Sequence, residues 1–292
     1  MAIKINWKDL QKRIINWVEV EKVMLDWVQI RPDVVPPTPT SNYLRFTSTF
    51  DYSPRWIDST VALNKTGNPT TVYLEYSFDG ANWSDYTIWA SIVVPYLSTI
   101  YFRNKSESVT GFSTSGSDYY KFYFVWVYEC AWNVNYLLCK NSVDPTVRLP
   151  NYCYYYLFRD WTITTAPELP SQNIWERTYY GMFYDSNIRT APALPLISVS
   201  SYWCQNMFRN CDSLIQLPDI SNANSNDTWF QYMFTNCNNI KISETQTWEY
   251  TNAYTMPNFS LHGAYGMFSG TWGTFTGNPT SSTTYYTSNT VI

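Results

Sequence analysis

Residues 162–195 read TITTAPELPSQNIWERTYYGMFYDSNIRTAPALP, and the phrase that opens them, TITTAPELP at 162–170, returns as NIRTAPALP at 187–195, 25 residues later. Working outward, a Met-Phe or Leu-Phe pair keeps the same beat: Phe158, Phe183, Phe208 and Phe234 follow at intervals of 25, 25 and 26, with a looser echo at Phe268. CDSLIQLPDI at 211–220 and a degraded CNNIKISETQ at 237–246 continue the phrase. Each unit offers an aromatic cluster, the Met-Phe knob, a short gap, an apolar residue (Ile163, Ile188, Leu214, Ile240) and then a proline turn (Pro167, Pro192, Pro218). Segments that repeat every two dozen or so residues cannot bury an apolar face alone, so they stack on one another as a solenoid. Knob and apolar residue should point into the stack, with proline ending the pairing and starting the return. Such an architecture directs the search for function toward recognition.

Composition agrees with that direction. A chain of 292 residues holds two or three compact units. Charged residues are 14% and aromatics 19%, with 26 Tyr and 14 Trp, so the surface must display rings. Tyr and Trp give large contact area at low entropic cost; the competing reading is that they fill repeat cores and β-faces. Net charge is −4 and the 19 basic residues form no run beyond Lys12-Arg13, so no cationic footprint for nucleic acid exists. The opening MAIKINWKDLQKRIINW lacks the apolar core of a secretory leader. No stretch approaches the length of a membrane span. A soluble protein made in a cytoplasm, without membrane insertion, is expected.

Six cysteines, at 130, 139, 153, 204, 211 and 237, form no C-x-x-C pair, which leaves a zinc ribbon or redox motif unsupported. Their placement follows the repeat: Cys211 and Cys237 each come three residues after a knob phenylalanine. They are expected to be buried ladder positions, where a free thiol behaves as a small hydrophobe, with disulfides or a metal as the alternative.

Outside the repeats, Ile5-Asn6-Trp7, Ile15-Asn16-Trp17 and Leu25-Asp26-Trp27 recur every ten residues. Alternation of apolar and charged residues favours short strands over an amphipathic helix at 8–20. Residues 1–36 are therefore expected to form an anchoring or oligomerisation segment, with Trp7, Trp17 and Trp27 as its anchors. Pro36-Pro37-Thr38-Pro39 opens a Pro-rich linker at 37–40. Residues 41–128 carry short alternating runs, at 43–50, 71–78, 86–94, 99–103 and 119–128, separated by turn signals such as Asp79-Gly80. That pattern predicts an antiparallel β-sandwich, with a hairpin over 77–83. The repeats occupy 129–280, and 281–292 is a polar C-terminal tail or capping strand. The expected fold class is mostly β.

The string ITTAPELPSQNIWERTYYGMF, then IRTAPALP and SYWCQNMFRNCDSLIQLP, resembles the BspA-like leucine-rich repeats of surface proteins in gut and oral bacteria, which vary on CYxxMFxxCxxLxxAPxLPxxxL. The likeness spans about residues 130–245. In that family a β-rich segment with a YSxDGxxW hairpin often precedes the repeats, and Tyr76 to Trp83 is similar to it. The resemblance implies adhesion to proteins, glycans or cells. Departures are the missing Cys at Asp160-Trp161 and Asp185-Ser186 and the lost proline turn after Cys237. The N-terminal block is similar to phage structural and fibre proteins, which often open with short tandem units ending in a TQxRP-like string, here Trp27-Val28-Gln29-Ile30-Arg31-Pro32. A particle released by lysis needs no secretion signal.

Enzymatic machinery is not expected. One histidine, His262, leaves no spare partner for a Ser-His-Asp arrangement, and no G-x-S-x-G string appears. Two-carboxylate glycosidases have no short motif; Asp51, Asp58, Asp79, Glu168, Glu176 and Asp185 are the candidates. Asp79, Asn82 and Asp85 lack the order of a dedicated calcium loop, so no cofactor or metal is expected.

The sequence thus points to a phage virion fibre, decoration or receptor-binding protein, displayed on the particle exterior and homo-oligomeric. Residues 1–36 would bind other virion proteins, and the repeats a host cell-surface protein or glycan. Exposed rings beside the knobs, Tyr155, Tyr156, Trp175, Tyr179, Tyr202, Trp203, Trp229 and Tyr232, are the expected contacts. The alternatives are a bacterial surface adhesin and a virion protein whose repeats bind only other subunits.

Overall fold

The computed structural model describes residues 43–48, 59–126, 128–141, 143–199, 202–220, 230–255, 263–273 and 284–288. The expected anchoring segment with Trp7, Trp17 and Trp27, the linker, and Asp51, Asp58, Trp229 and His262 lie outside them. The chain is mostly β, with antiparallel sheets, and the helical element among the described residues is one 3-10 turn, Val134–Leu137, capped by the Asn133 side chain. Among the described residues no helix is long and apolar enough to cross a membrane.

Eight strands come first: β1 Leu44–Ser48, β2 Ser59–Thr66, β3 Leu74–Ser77, β4 Ser84–Asp85, β5 Ile92–Val94, β6 Thr99–Asn104, β7 Tyr119–Val125 and β8 Tyr128–Ala131. They form one sheet in the order β4-β3-β6-β1-β8 and a second in the order β5-β2-β7, all pairs antiparallel. Strict alternation puts Leu44 and Phe46 of β1 and Val61 and Leu63 of β2 inward, each without exposed surface. The two sheets meet through rings: Phe46 lies 5.1 Å and Phe102 5.6 Å from Phe122. The sequence reading missed β2, the centre of the second sheet, because Asn64-Lys65-Thr66 dilutes its apolar signal. The expected run 86–94 is a strand only at Ile92–Val94: Tyr86 turns inward to accept the Leu63 N–H through its hydroxyl at 2.6 Å, and Trp89 takes a φ of 75°. Cys130, read as the start of the repeats, instead sits in β8 opposite Phe46.

The core continues from β7 into the knob segments. The Phe122 N–H donates to Leu157 O at 2.9 Å, and its ring stacks on Phe158 at 5.7 Å. Phe158, Phe183, Phe208, Phe234 and Phe268 then follow as one column, with centroid steps of 5.6, 5.5, 5.6 and 5.5 Å and, beyond the first pair, interplanar angles of 5° to 8°. Each buried ring removes enough apolar surface for roughly 1.5–3 kcal/mol. The last step spans 34 residues because additional chain, including Tyr250–Thr255, is inserted before Phe268.

The knob segments are neither helix nor strand. In 152–160 alternate N–H groups bond in two directions: Tyr155, Leu157 and Arg159 donate three residues back, while Tyr152, Tyr154, Tyr156, Phe158 and Asp160 donate to carbonyls of the next segment, 24 residues on. The pattern repeats from Tyr179, Gly181, Phe183 and Asp185 into the segment of Phe208, and onward. Every fourth residue has positive φ: Tyr152, Tyr156 and Asp160; Arg177, Gly181 and Asp185; Tyr202, Asn206 and Asn210; Tyr232 and Asn236; Gly266 and Gly270. Asp, Asn and Gly dominate the last position of each set, as the left-handed region favours. One turn per four residues sends side chains two in and two out, so Leu157 and Phe158 are buried while Arg159 and Asp160 face solvent.

Behind the knobs, Thr165, Thr190 and Gln216 form parallel bridges, and β9 Asn173–Ile174 pairs in parallel with β10 Ser198–Val199. At the far end β11 Lys241–Ser243, β12 Tyr250–Thr255, β13 Trp272–Gly273 and β14 Thr284–Ser288 form a sheet in the order β12-β14-β11-β13. β14 lies within the segment read as a tail or capping strand, and its buried Tyr285 covers Phe268 at 5.8 Å. All six cysteines are free and buried; Cys211 and Cys237 donate through Sγ to Phe183 O and Phe208 O, both at 3.0 Å.

Candidate binding face

The outward pairs of successive knob segments align in columns at one step per segment, and two of the columns interleave tyrosine with arginine. One reads Tyr152, Arg177, Tyr202: the Arg177 guanidinium lies 5.5 Å and 5.4 Å from the two ring centroids and donates to the Tyr152 hydroxyl. A second reads Arg159, Tyr184, Arg209, with Arg159 5.0 Å and Arg209 5.9 Å from the ring between them. Tyr156 and Tyr232 flank this column, 4.7 Å from Arg159 and 5.8 Å from Arg209. A third begins with Tyr155 and Tyr180, stacked at 4.9 Å and 10°, and continues as Gln205 and Gln231, whose amides bond at 2.9 Å.

Tight packing fixes these rings. Tyr156 lies across Gly181 and Tyr232 across Gly266, and a Cβ at either glycine would overlap the ring. Tyr119 of β7 closes the near edge, 5.6 Å from both Tyr155 and Tyr156. Burial pushes the Tyr155 and Tyr156 hydroxyls above the ordinary phenol range, and the nearby Tyr180 adds to both shifts. Both stay neutral donors at any physiological pH. The face thus offers preordered rings, guanidinium forks and amides, and chemically it can stack on planar or apolar ring faces and hydrogen-bond hydroxyls and oxyanions.

Of the expected contact rings, Tyr156, Tyr202 and Tyr232 lie on this face, half-buried, and Tyr155 keeps 9% of its surface. Trp175 is 45% exposed, with the Arg148 guanidinium 5.3 Å from its ring. Tyr179 and Trp203 require correction. Both are fully buried, because the two-in, two-out rhythm places them in the inward pair before each knob, and Tyr179 stacks on Tyr154 at 6.0 Å inside the core. The sequence reading passed over Tyr152, Tyr180, Tyr184, Arg159, Arg177 and Arg209. Their spacing at the repeat interval was the available signal.

Of the carboxylates read as hydrolytic candidates, Asp79, Glu168, Glu176 and Asp185 are among the described residues. Asp79 is spent on its turn: it accepts from the backbone N–H groups of Ala81 and Asn82 at 2.9 and 2.7 Å and from the Ser77 hydroxyl at 2.8 Å, and the Asn82 contacts hold its carboxyl well below the usual range. That turn joins β3 to β4 as the expected hairpin. Asp85 pairs with Lys105 at 2.6 Å, and Glu176 with Arg177 at 3.6 Å. Glu168 and Asp185 are exposed. No protein-family model, curated protein or solved structure matches the chain.

Proposed function

We propose that the chain is a recognition protein of a bacteriophage particle, a fibre or decoration protein whose BspA-like leucine-rich-repeat solenoid binds the bacterial host surface. In this reading residues 41–128 form a β-sandwich that holds the solenoid away from the particle. Residues 1–36 attach it to other virion proteins or join its copies. The observation that carries the reading is the Tyr-Arg face, ordered by the backbone ladder beneath it. Aromatic and arginine side chains are the residues that dominate binding energy at interfaces, and here several are held in place before any partner arrives, which lowers the entropic cost of binding. Many copies on one particle would turn weak single contacts into firm attachment.

The test is binding of fluorescently labelled full chain to a panel of whole bacterial cells and to intact phage particles, beside a variant carrying Y156S, Y184S and Y232S whose folding is checked by thermal melting. Cell binding that the triple variant weakens at least tenfold supports host recognition. Binding to particles alone, indifferent to the triple variant, overturns it in favour of a purely structural virion role.

A further inference from the structure

Three arginines stand in the face, and their counter-charges are unequal. Arg159 has Asp160 at 3.4 Å and Arg177 has Glu176 at 3.6 Å. Arg209 has no carboxylate within ion-pairing reach among the described residues; its Nη1 donates to Asn206 Oδ1 at 3.3 Å, and its Nε is buried with no hydrogen-bond partner. The repeat explains the difference. The position two residues after each knob reads Asp160, Asp185, Asn210, Asn236, so the acid of the first two segments has become an amide where Arg209 stands. Asn210 instead donates to the Tyr184 hydroxyl at 3.3 Å and accepts from Asn236 at 3.0 Å.

A guanidinium keeps its charge at all accessible pH and presents five donors in a flat fork. Drawing one partly out of water between two rings, Tyr184 and Tyr232, without an anion leaves donors unmet, and unmet charged donors are costly. The rings supply cation–π attraction but no acceptor. An oxyanion seated on the half-exposed fork would satisfy both the charge and the geometry. A sugar ring bearing it would find the aromatic faces of Tyr184 and Tyr232 on either side.

We propose that Arg209, framed by Tyr184 and Tyr232, is the subsite for an oxyanion carried on a sugar, the carboxylate or phosphate of an acidic surface polysaccharide. This rests on the recognition reading above and names its ligand class. Calorimetric titration of the full chain with a hexameric polyuronate, a neutral hexameric glucan and inorganic polyphosphate tests it. At least one oxyanion polymer should bind tenfold or more tighter than the neutral glucan, and more weakly as salt rises. R209Q should lose at least tenfold of that affinity, while Lys65→Gln, the same charge change on β2, should not. R209K keeps the charge but not the fork and should lose at least threefold, which decides the matter should R209Q melt early. Preference for polyuronate over polyphosphate identifies a carboxylate, and the reverse a phosphate. Absence of oxyanion binding by the natural chain, or R209Q and R209K binding like it, overturns the subsite. Cell binding that survives R209Q but not the tyrosine triple variant removes the subsite alone; oxyanion binding without cell binding removes the recognition reading alone.

Discussion

The ring of Tyr156 lies against the backbone of Gly181 one segment on, and Gly181 sits at a φ of 54°, so the tyrosine occupies the space that any side chain at 181 would need. Tyr232 and Gly266 repeat the arrangement. A face of rings is thereby tied to a backbone conformation beneath it.

Gly181→Ala should therefore destabilise on two counts. An L-residue in the left-handed region costs about 1–2 kcal/mol, and the new methyl collides with Tyr156 Cε1 and Cδ1. Tyr156→Ala removes only the collision. A double-mutant cycle by urea unfolding should show Y156A and G181A coupled by at least ~0.5 kcal/mol; strict additivity would mean the ring does not rest on the glycine in solution.

Phe208 sits mid-column, with Phe183 and Phe234 parallel to it at 5.5 and 5.6 Å and no exposed surface. Phe208→Ala should cost about 3–5 kcal/mol, the range for an unrelaxed aromatic cavity. Stacked units depend on their neighbours, so amide exchange should rise first in the segments around Phe183 and Phe234. A loss below ~1 kcal/mol would show that the ring is not packed.

The column was legible in the sequence because identical side chains at a constant interval leave few other arrangements. Which tyrosines face outward was not. Alternation, the rule for a strand, assigns inward and outward by parity, yet the knob segments turn once every four residues, so Cys153-Tyr154 and Leu157-Phe158 go in together. Tyr179 and Trp203 were misassigned for that reason. The signal was present: Asp160, Asp185, Asn210, Asn236 and Gly270 share one column, and Asp, Asn and Gly recurring at one position mark positive φ. The 34-residue final step only loosened the echo at Phe268, since an insertion changes spacing without changing what the ring packs on.

The six buried thiols should be silent toward a thiol reagent in the native chain at pH 8. Only the thiolate reacts, and burial pushes Cys153 and Cys211 up to about 12. Ellman's reagent should label none in minutes and all six after denaturation. One fast native thiol would place a cysteine outside the core.

Cys153 and Cys211 also bear on the alkaline limit of the fold. Cys153 and Cys211 titrate near 9 when unfolded and near 12 when folded, and burial also raises Tyr154 and Tyr254. The protonated form is thus the one the native state holds. Below pH 9 both states carry the proton and the contribution is whole; above it the unfolded chain releases protons that the native chain keeps, so stability falls as pH rises. Each such thiol removes about 1.4 kcal/mol per pH unit across that window. Urea midpoints should be flat from pH 7 to 8.5 and drop steeply between 9 and 12, and substituting both residues by Ala should flatten the first part of the drop. Midpoints that hold level to pH 11 would mean the thiols ionise as readily folded as unfolded, which a dry interior column does not permit.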